Sequence, residues 1–307
     1  MKRTPSWRAL TIVTAAALMF TACTSETAET TDDDTEPQAQ DVLRIGAIPG
    51  WSDHTGIAYI YEHVLEDNGY VVDVESTVDV GPAYEAVAEG ELDLYGAAWP
   101  ERTQATYWED HQDTIEDLGV IYGGAEVFLA VPEYSEISSI EELPEFAEEL
   151  DGDITGIESG AGLSVLTEEE VMPHYGLDQE FELQLSSAGG MLGELEEAIE
   201  NDEEIVVTMW TPNWVYEQFN LQALEDPDQV YGESESIHTL GRPGFAEDFP
   251  EVANMIENFS LTIEQVADLE NYLANESGDD EDGSAAVAAW LDENPEVVEQ
   301  LTDALNG

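Results

Sequence analysis

The chain has 307 residues, 42% of them hydrophobic, which is enough for two domains with a sizeable core. It carries 71 acidic against 6 basic residues, a formal charge of −65. Such a charge excludes nucleic acid and anionic lipid headgroups as electrostatic partners, while the ordinary aromatic content excludes a disordered acidic chain.

Residues 1–8 hold Lys2, Arg3 and Arg8, and residues 9–22 are apolar or small without charge, the pattern of a signal peptide spanning 1–22. The apolar stretch is short for a membrane span and ends in Phe20-Thr21-Ala22-Cys23, which resembles the lipobox of bacterial lipoproteins. Cys23, the single cysteine, is then expected to take a lipid anchor that ties the protein to the outer side of the cell membrane. Residues 23–40 are polar and acidic and read as a flexible tether. Beyond the leader the only cations are Arg44, Arg102 and Arg242. An excess of carboxylates on this scale is the expectation for a surface adapted to high salt, where self-repulsion is screened over a short distance. Calcium storage would need an Asp-x-Asp-x-Asp-Gly loop with a distal Glu, which the run DDEDG at 279–283 does not provide.

Residues 43–48 (LRIGAI) read as a buried strand, 57–68 as an apolar-periodic helix closed by Gly69, and 71–78 as an alternating strand. A helix over 82–89, stopped by Gly90, precedes a strand over 92–97. A second series starts after the buried run 127–131: a strand at 154–157, a Gly-rich turn at 159–162, a helix from about Thr167, a strand at 181–185, a helix at 191–200 and a strand at 205–209. From Val252 onward the pattern is helical, through 262–273 and 285–305. Strands alternating with helices predict α/β units with mostly parallel sheets, and closing helices of this kind return to the first domain.

Trp51, Trp99, Trp210 and Trp214 lie at or just beyond predicted strand ends, in IPGW, AAWPERT and VVTMWTPNW, whereas Trp108 and Trp290 fall on helices and read as packing. Ligands of open α/β sheets bind outside the carboxyl ends of strands. Indole faces attract a cation that has no N–H to donate, so a cage of them points to a methylated ammonium head.

The runs GIESGAGLSVLTEEEVMPHYGL, SSAGGMLGELEEAI, IVVTMWTPNWVYEQFNLQALEDP and IHTLGRPGF, with IPGWSDHTGIA and LDLYGAAWPERT before them, resemble the glycine betaine and proline betaine binding proteins of ABC importers. The resemblance implies a two-lobed clamshell, each lobe a mostly parallel sheet flanked by helices: lobe I from 41–132 and 225–307, lobe II from 133–224. It implies a cage of Trp51, Trp99 and Trp210, with the backbone N–H groups of Gly162 and Leu163 on the ligand's carboxylate. Trp214 is expected behind the cage. It also implies an ABC permease as partner, no cofactor, no metal and a role in osmoprotection.

After Trp99 the chain departs from the family pattern, with Gln104 where a carboxylate-binding His commonly stands. Arg102 is expected to take over that role as a charge-assisted partner, ahead of simple pairing with a nearby acid, because cations are so scarce here. Thr103 is a possible ligand contact; Asp53 and His54 are possible contacts too, in what reads first as a solvated loop. Arg242 is expected to brace the interlobe region, and His238 to be a core histidine or a donor behind the ligand. The runner-up ligands are choline, carnitine and ectoine. An enzyme is disfavoured, since no His pair has metal spacing and no Gly-x-Ser-x-Gly elbow occurs.

Overall fold

The computed structural model describes residues 42–276 and 283–307; the leader, Cys23 and the tether lie outside the described residues. Its strands are β1 (Val42–Ala47), β2 (Val71–Ser76), β3 (Leu94–Ala98), β4 (Glu116–Pro132), β5 (Asp153–Gly156), β6 (Glu182–Leu185), β7 (Val207–Thr211), β8 (Leu221–Ala223) and β9 (Glu235–Gly241). β1 runs parallel to both β2 and β3, and β5 parallel to both β6 and β7. Each triplet is interleaved with helices, as crossover connections between parallel strands require. Between the triplets the pairing is antiparallel: β9 pairs with β3 and β4, and β4 pairs with β7 and β8. The order is therefore β2-β1-β3-β9-β4-β7-β5-β6, with β8 beside β4.

β4 belongs to both halves of this sheet. Residues 116–125 pair with β9 and residues 126–132 with β7 and β8. The register shifts between Gly123 and Ala125, and Gly124 has φ +87°, a conformation that favours glycine. The chain crosses once there and again between β8 and β9. The sequence pattern found only the 127–131 portion of β4 and did not reveal β9. Both carry polar or Gly-rich stretches that break the apolar run expected of a buried strand.

Helix α1 (Ser52–Asp67) begins immediately after Trp51, five residues before the expected start, so Asp53 and His54 sit in its first turn and not in a solvated loop. Helix α2 (Val80–Glu89) is capped by Asp79, whose Oδ1 accepts from Val80 N at 2.8 Å, and ends at Gly90 in the left-handed conformation, and α3 (Ala105–His111) follows the loop after β3. The terminal helices Ile263–Glu276, Ser284–Glu293 and Pro295–Leu305 all touch α1, the first two most extensively. Pro295 splits the single helix expected over 285–305, since proline is tolerated at a helix's first turn and not within it. Trp290 is fully buried beneath them and donates to Asp268 at 2.9 Å. Arg44 and Arg242 converge on one buried carboxyl: Asp93 accepts from Arg44 N at 2.8 Å and from Arg242 Nε at 2.7 Å, which ties β1 to the end of β9.

Candidate ligand-binding cavity

Three of the four strand-end tryptophans meet. Trp51 follows the turn after β1, Trp99 ends β3, and Trp210 lies in β7 with Val127 of β4 as its cross-strand neighbour. They line one narrow cavity of about 20 Å³ between the halves of the sheet. The rings of Trp51 and Trp210 stand 6.2 Å apart at 41°, which leaves them tilted toward a shared space and not stacked on each other. Their indole N–H groups are fixed from behind: Trp51 Nε1 donates to Glu158 at 3.1 Å and Trp99 Nε1 to Asp53 Oδ2 at 3.2 Å. Each bond orients a ring while leaving its face open to a guest.

Asp53 itself lines the cavity at 2% exposure, and its Oδ1 has no hydrogen-bond partner within the protein. His54 is also buried, packed edge-on against Trp51 and Tyr95 at 5.0 and 5.1 Å. Burial pushes its pKa down although Asp53 pulls the other way. It supports Trp51 from behind.

Gly162 and Leu163 also line the cavity and open helix α4 (Gly162–Leu166), whose helical path continues through Thr167–Val171 and Met172–Tyr175. The first N–H groups of a helix have no acceptor within it and form the positive end of its dipole. Thr103 and Gln104 face them from the loop after Trp99. Gln104, 1% exposed, accepts from Trp99 N at 3.0 Å and returns a bond from its own N to Trp99 O at 2.8 Å, which closes the loop beneath the cage.

The two halves touch around this cavity. A Cβ on Gly162 would stand 1.9 Å from Thr103 O, so only glycine permits the approach. Asp79 Oδ2 accepts from Gly160 N at 2.9 Å, and Tyr107 OH donates to Gly160 O at 2.8 Å.

Arg102 lies apart from these residues. It does not line the cavity; its guanidinium points to the rim, where Nη1 and Nη2 donate to Glu170 at 3.1 and 2.7 Å and Nη2 to Val230 O at 2.8 Å. In so acidic a chain a guanidinium on an exposed loop meets carboxylates at the surface before it reaches the interior. Trp214 borders a separate interlobe cavity and packs near Phe219. His238 lies on β9 away from the cage, with Nδ1 3.0 Å from Asp117. Burial opposes its charge, but the bond and charge of Asp117 push its pKa above the ordinary value. Arg242 braces Asp93 and Asp248 within the first half, not the interlobe region.

Sequence reasoning missed Glu158, Val127, Ile157 and Glu270. Glu158 also accepts from Ala188 N at 3.1 Å. Glu270 is fully buried, accepts from Ser52 Oγ and from Trp214 N at 3.3 Å, and so links the residue after Trp51 to the segment after Trp210. Burial, with the charge of Asp53, pushes its carboxyl up to about 8. Among 71 acids no local signal marks these few. No group of His, Cys, Asp and Glu among the described residues is arranged to hold a metal ion.

Residues 41–293 match the family described as the substrate binding domain of the ABC-type glycine betaine transport system. The chain belongs to that family. It is therefore a substrate-binding protein and not an enzyme. It is 35% identical over 161 residues to the glycine betaine/carnitine transport binding protein GbuC of Listeria monocytogenes, a match over 52% of each chain; the chain thus spans about half the length of that curated relative. Its fold superimposes with a TM-score of 0.77 on lactococcal OpuAC in its closed-liganded conformation complexed with glycine betaine, at 27% identity over 85% of this chain and 99% of that one. An ABC-transporter choline binding protein in complex with choline gives 0.77 as well, at 26% identity over 87% and 93%. The fold is thus that of the two-lobed binding proteins.

Proposed function

We propose that the cavity captures glycine betaine or a close betaine by its methylated ammonium head and delivers it to an ABC permease. The observation that carries this reading is the convergence of Trp51, Trp99 and Trp210 with the Asp53 carboxyl and the start of α4 in one buried cavity. A desolvated indole contributes up to about 2 kcal/mol to a cation over its face, so three of them supply several. The carboxylate end of a zwitterion suits the Gly162 and Leu163 N–H groups, and its ammonium end suits the indoles and Asp53. Closure of residues 133–224 on 41–132 and 225–307 would bury the guest, stabilised by the guest's contacts with both lobes.

Anchored by a lipid on Cys23, with residues 23–40 as tether, the domain would work outside the membrane, its acidic surface suited to high salt. Import of an osmolyte fits that setting.

Choline is the second reading, and Asp53 favours it: the lining holds a carboxyl and no cationic side chain. Carnitine and ectoine are the further alternatives. Calorimetric titration with glycine betaine, choline, carnitine and ectoine, repeated on Asp53→Asn, separates them. Betaine is expected to bind in preference to choline, and Asp53→Asn to weaken choline more than betaine, whose net charge is zero. Choline binding the more tightly would move the assignment to the second reading. Silence with every quaternary ammonium would end both.

A further inference from the structure

We propose that Arg102 is the latch of the closed protein: it holds the two lobes together at the rim of the cleft and does not touch the ligand. The proposal rests on the lobe closure argued above. Its geometry divides cleanly at the Cα. The backbone around Arg102 is fastened to the first lobe through Glu235 of β9, whose carboxyl accepts from Arg102 N at 3.1 Å, from Thr103 N at 3.3 Å and from Thr103 Oγ1. Glu235 is 4% exposed and sits on a strand that pairs with β4 at Ala125, so this hold is anchored in the sheet.

The side chain leaves that lobe. Glu170, which receives both terminal nitrogens, lies on the helical turn Thr167–Val171 that follows α4, and α4 opens with the Gly162 and Leu163 of the cavity. The two parallel bonds form a fork that fixes angle as well as distance. The third acceptor, Val230 O, belongs to the segment that crosses from β8 to β9. That segment is itself bound to the second lobe: Tyr231 OH meets Thr167 Oγ1 at 2.8 Å, and Asp226 holds Tyr231 N at 2.8 Å and the hydroxyl of Tyr175. One side chain thus connects the loop that follows Trp99 to the helix that begins at Gly162. Opening the cleft would break the two bonds to Glu170 and leave the backbone hold intact.

Among the described residues the other arginine pairs, Arg44 with Asp93 and Arg242 with Asp93 and Asp248, stay within the first lobe. The Arg102 and Glu170 side chains are 35% and 51% exposed, so salt can reach this pair.

The test is a double-substitution cycle of Arg102→Ala and Glu170→Ala in the full chain carrying Cys23→Ser, with dissociation rates read for glycine betaine and for choline. An exposed pair of good geometry predicts a loss of about two- to fivefold for either single change, chiefly in the dissociation rate. The double variant is expected to lose little more, and both ligands to be affected alike. In parallel, dye or spin labels on Glu85→Cys and Glu196→Cys, both exposed and one on each lobe, report the separation of the lobes without ligand. Arg102→Ala should lengthen it. Abolished betaine binding with choline untouched would make Arg102 a carboxylate clamp and overturn the latch; so would additive single effects, or an unchanged separation. If the unsubstituted chain binds no quaternary ammonium, the ligand assignment fails while the label distances still judge the latch.

Discussion

Gly162 offers the sharpest handle on closure, because its substitution separates folding from binding. A Cβ added there would lie 1.9 Å from Thr103 O and 2.6 Å from its carbonyl carbon, where ordinary contact begins near 3.4 Å, so the lobes would have to part by about 1.5 Å at this point. Both neighbours are backbone, and no rotamer change can relieve the clash. Within its own lobe Gly162 opens a helix with no unusual φ, and alanine there gains up to about 1 kcal/mol of helix propensity. Gly162→Ala also keeps the N–H that would face a carboxylate. The strain is therefore confined to the closed state. Overpacking of this kind costs about 1–3 kcal/mol, which corresponds to a roughly five- to 150-fold weaker affinity. Titration calorimetry should show that loss while the thermal midpoint stays level or rises. Affinity equal to that of the unsubstituted chain, or a lowered midpoint, would refute the reasoning.

Two other expectations are independent of it. Trp99→Phe and Trp210→Phe keep an aromatic face with weaker attraction for a cation, so each should lower affinity for betaine and choline alike by about five- to tenfold, read by titration; unchanged affinity for both would remove the cage. Glu270 makes stability depend on pH, since its folded pKa, about 8, stands above the ordinary carboxyl value of 4.5. Between those values the folded chain holds a proton that the unfolded chain releases, so the stabilisation from this group is full below about pH 4.5 and fades as pH rises toward 8, by at most about 3–5 kcal/mol. Guanidinium midpoints should fall between pH 5 and pH 8, and Glu270→Gln should flatten that part of the profile; parallel profiles would refute it.

The sites most legible in the sequence were those whose residue type is itself the chemistry. An indole after a buried strand can be read in one dimension, and Trp51, Trp99 and Trp210 do share a cavity. The Gly-rich turn before α4 was legible for the same reason, since a helix start stripped of side chains has few uses. Direction was not legible. The pattern that made Arg102 conspicuous, its rarity, holds equally for Arg44 and Arg242, and all three are drawn to carboxylates. Asp53 was legible only as a possible contact in what reads as a solvated loop: it is one acid among 71, and only the early start of α1 turns it inward. The antiparallel seam of β4 and β9 was hidden because hinge strands carry Gly123, Gly124 and Gly241 where a buried strand would carry β-branched residues.

This chain faces an electrostatic difficulty that its site is built to answer. A surface this acidic attracts every cation in solution, so selecting a quaternary ammonium by charge alone would lose to sodium and potassium at molar concentrations. On the proposed reading the cavity relies instead on its three indole faces. A hydrated ion would have to shed water against three indole faces that offer no oxygen ligands, whereas a methylated ammonium is weakly hydrated and gains by burying its methyl groups. Asp53 adds charge where salt does not screen it, and its unpaired Oδ1 is a cost to the unliganded protein, roughly 1–3 kcal/mol for a buried acceptor, that a cationic guest would offset. The guest's advantage therefore grows with enclosure. On the proposed reading, closure, permitted by Gly162 and fastened at the rim by Arg102, belongs to recognition itself and not only to delivery.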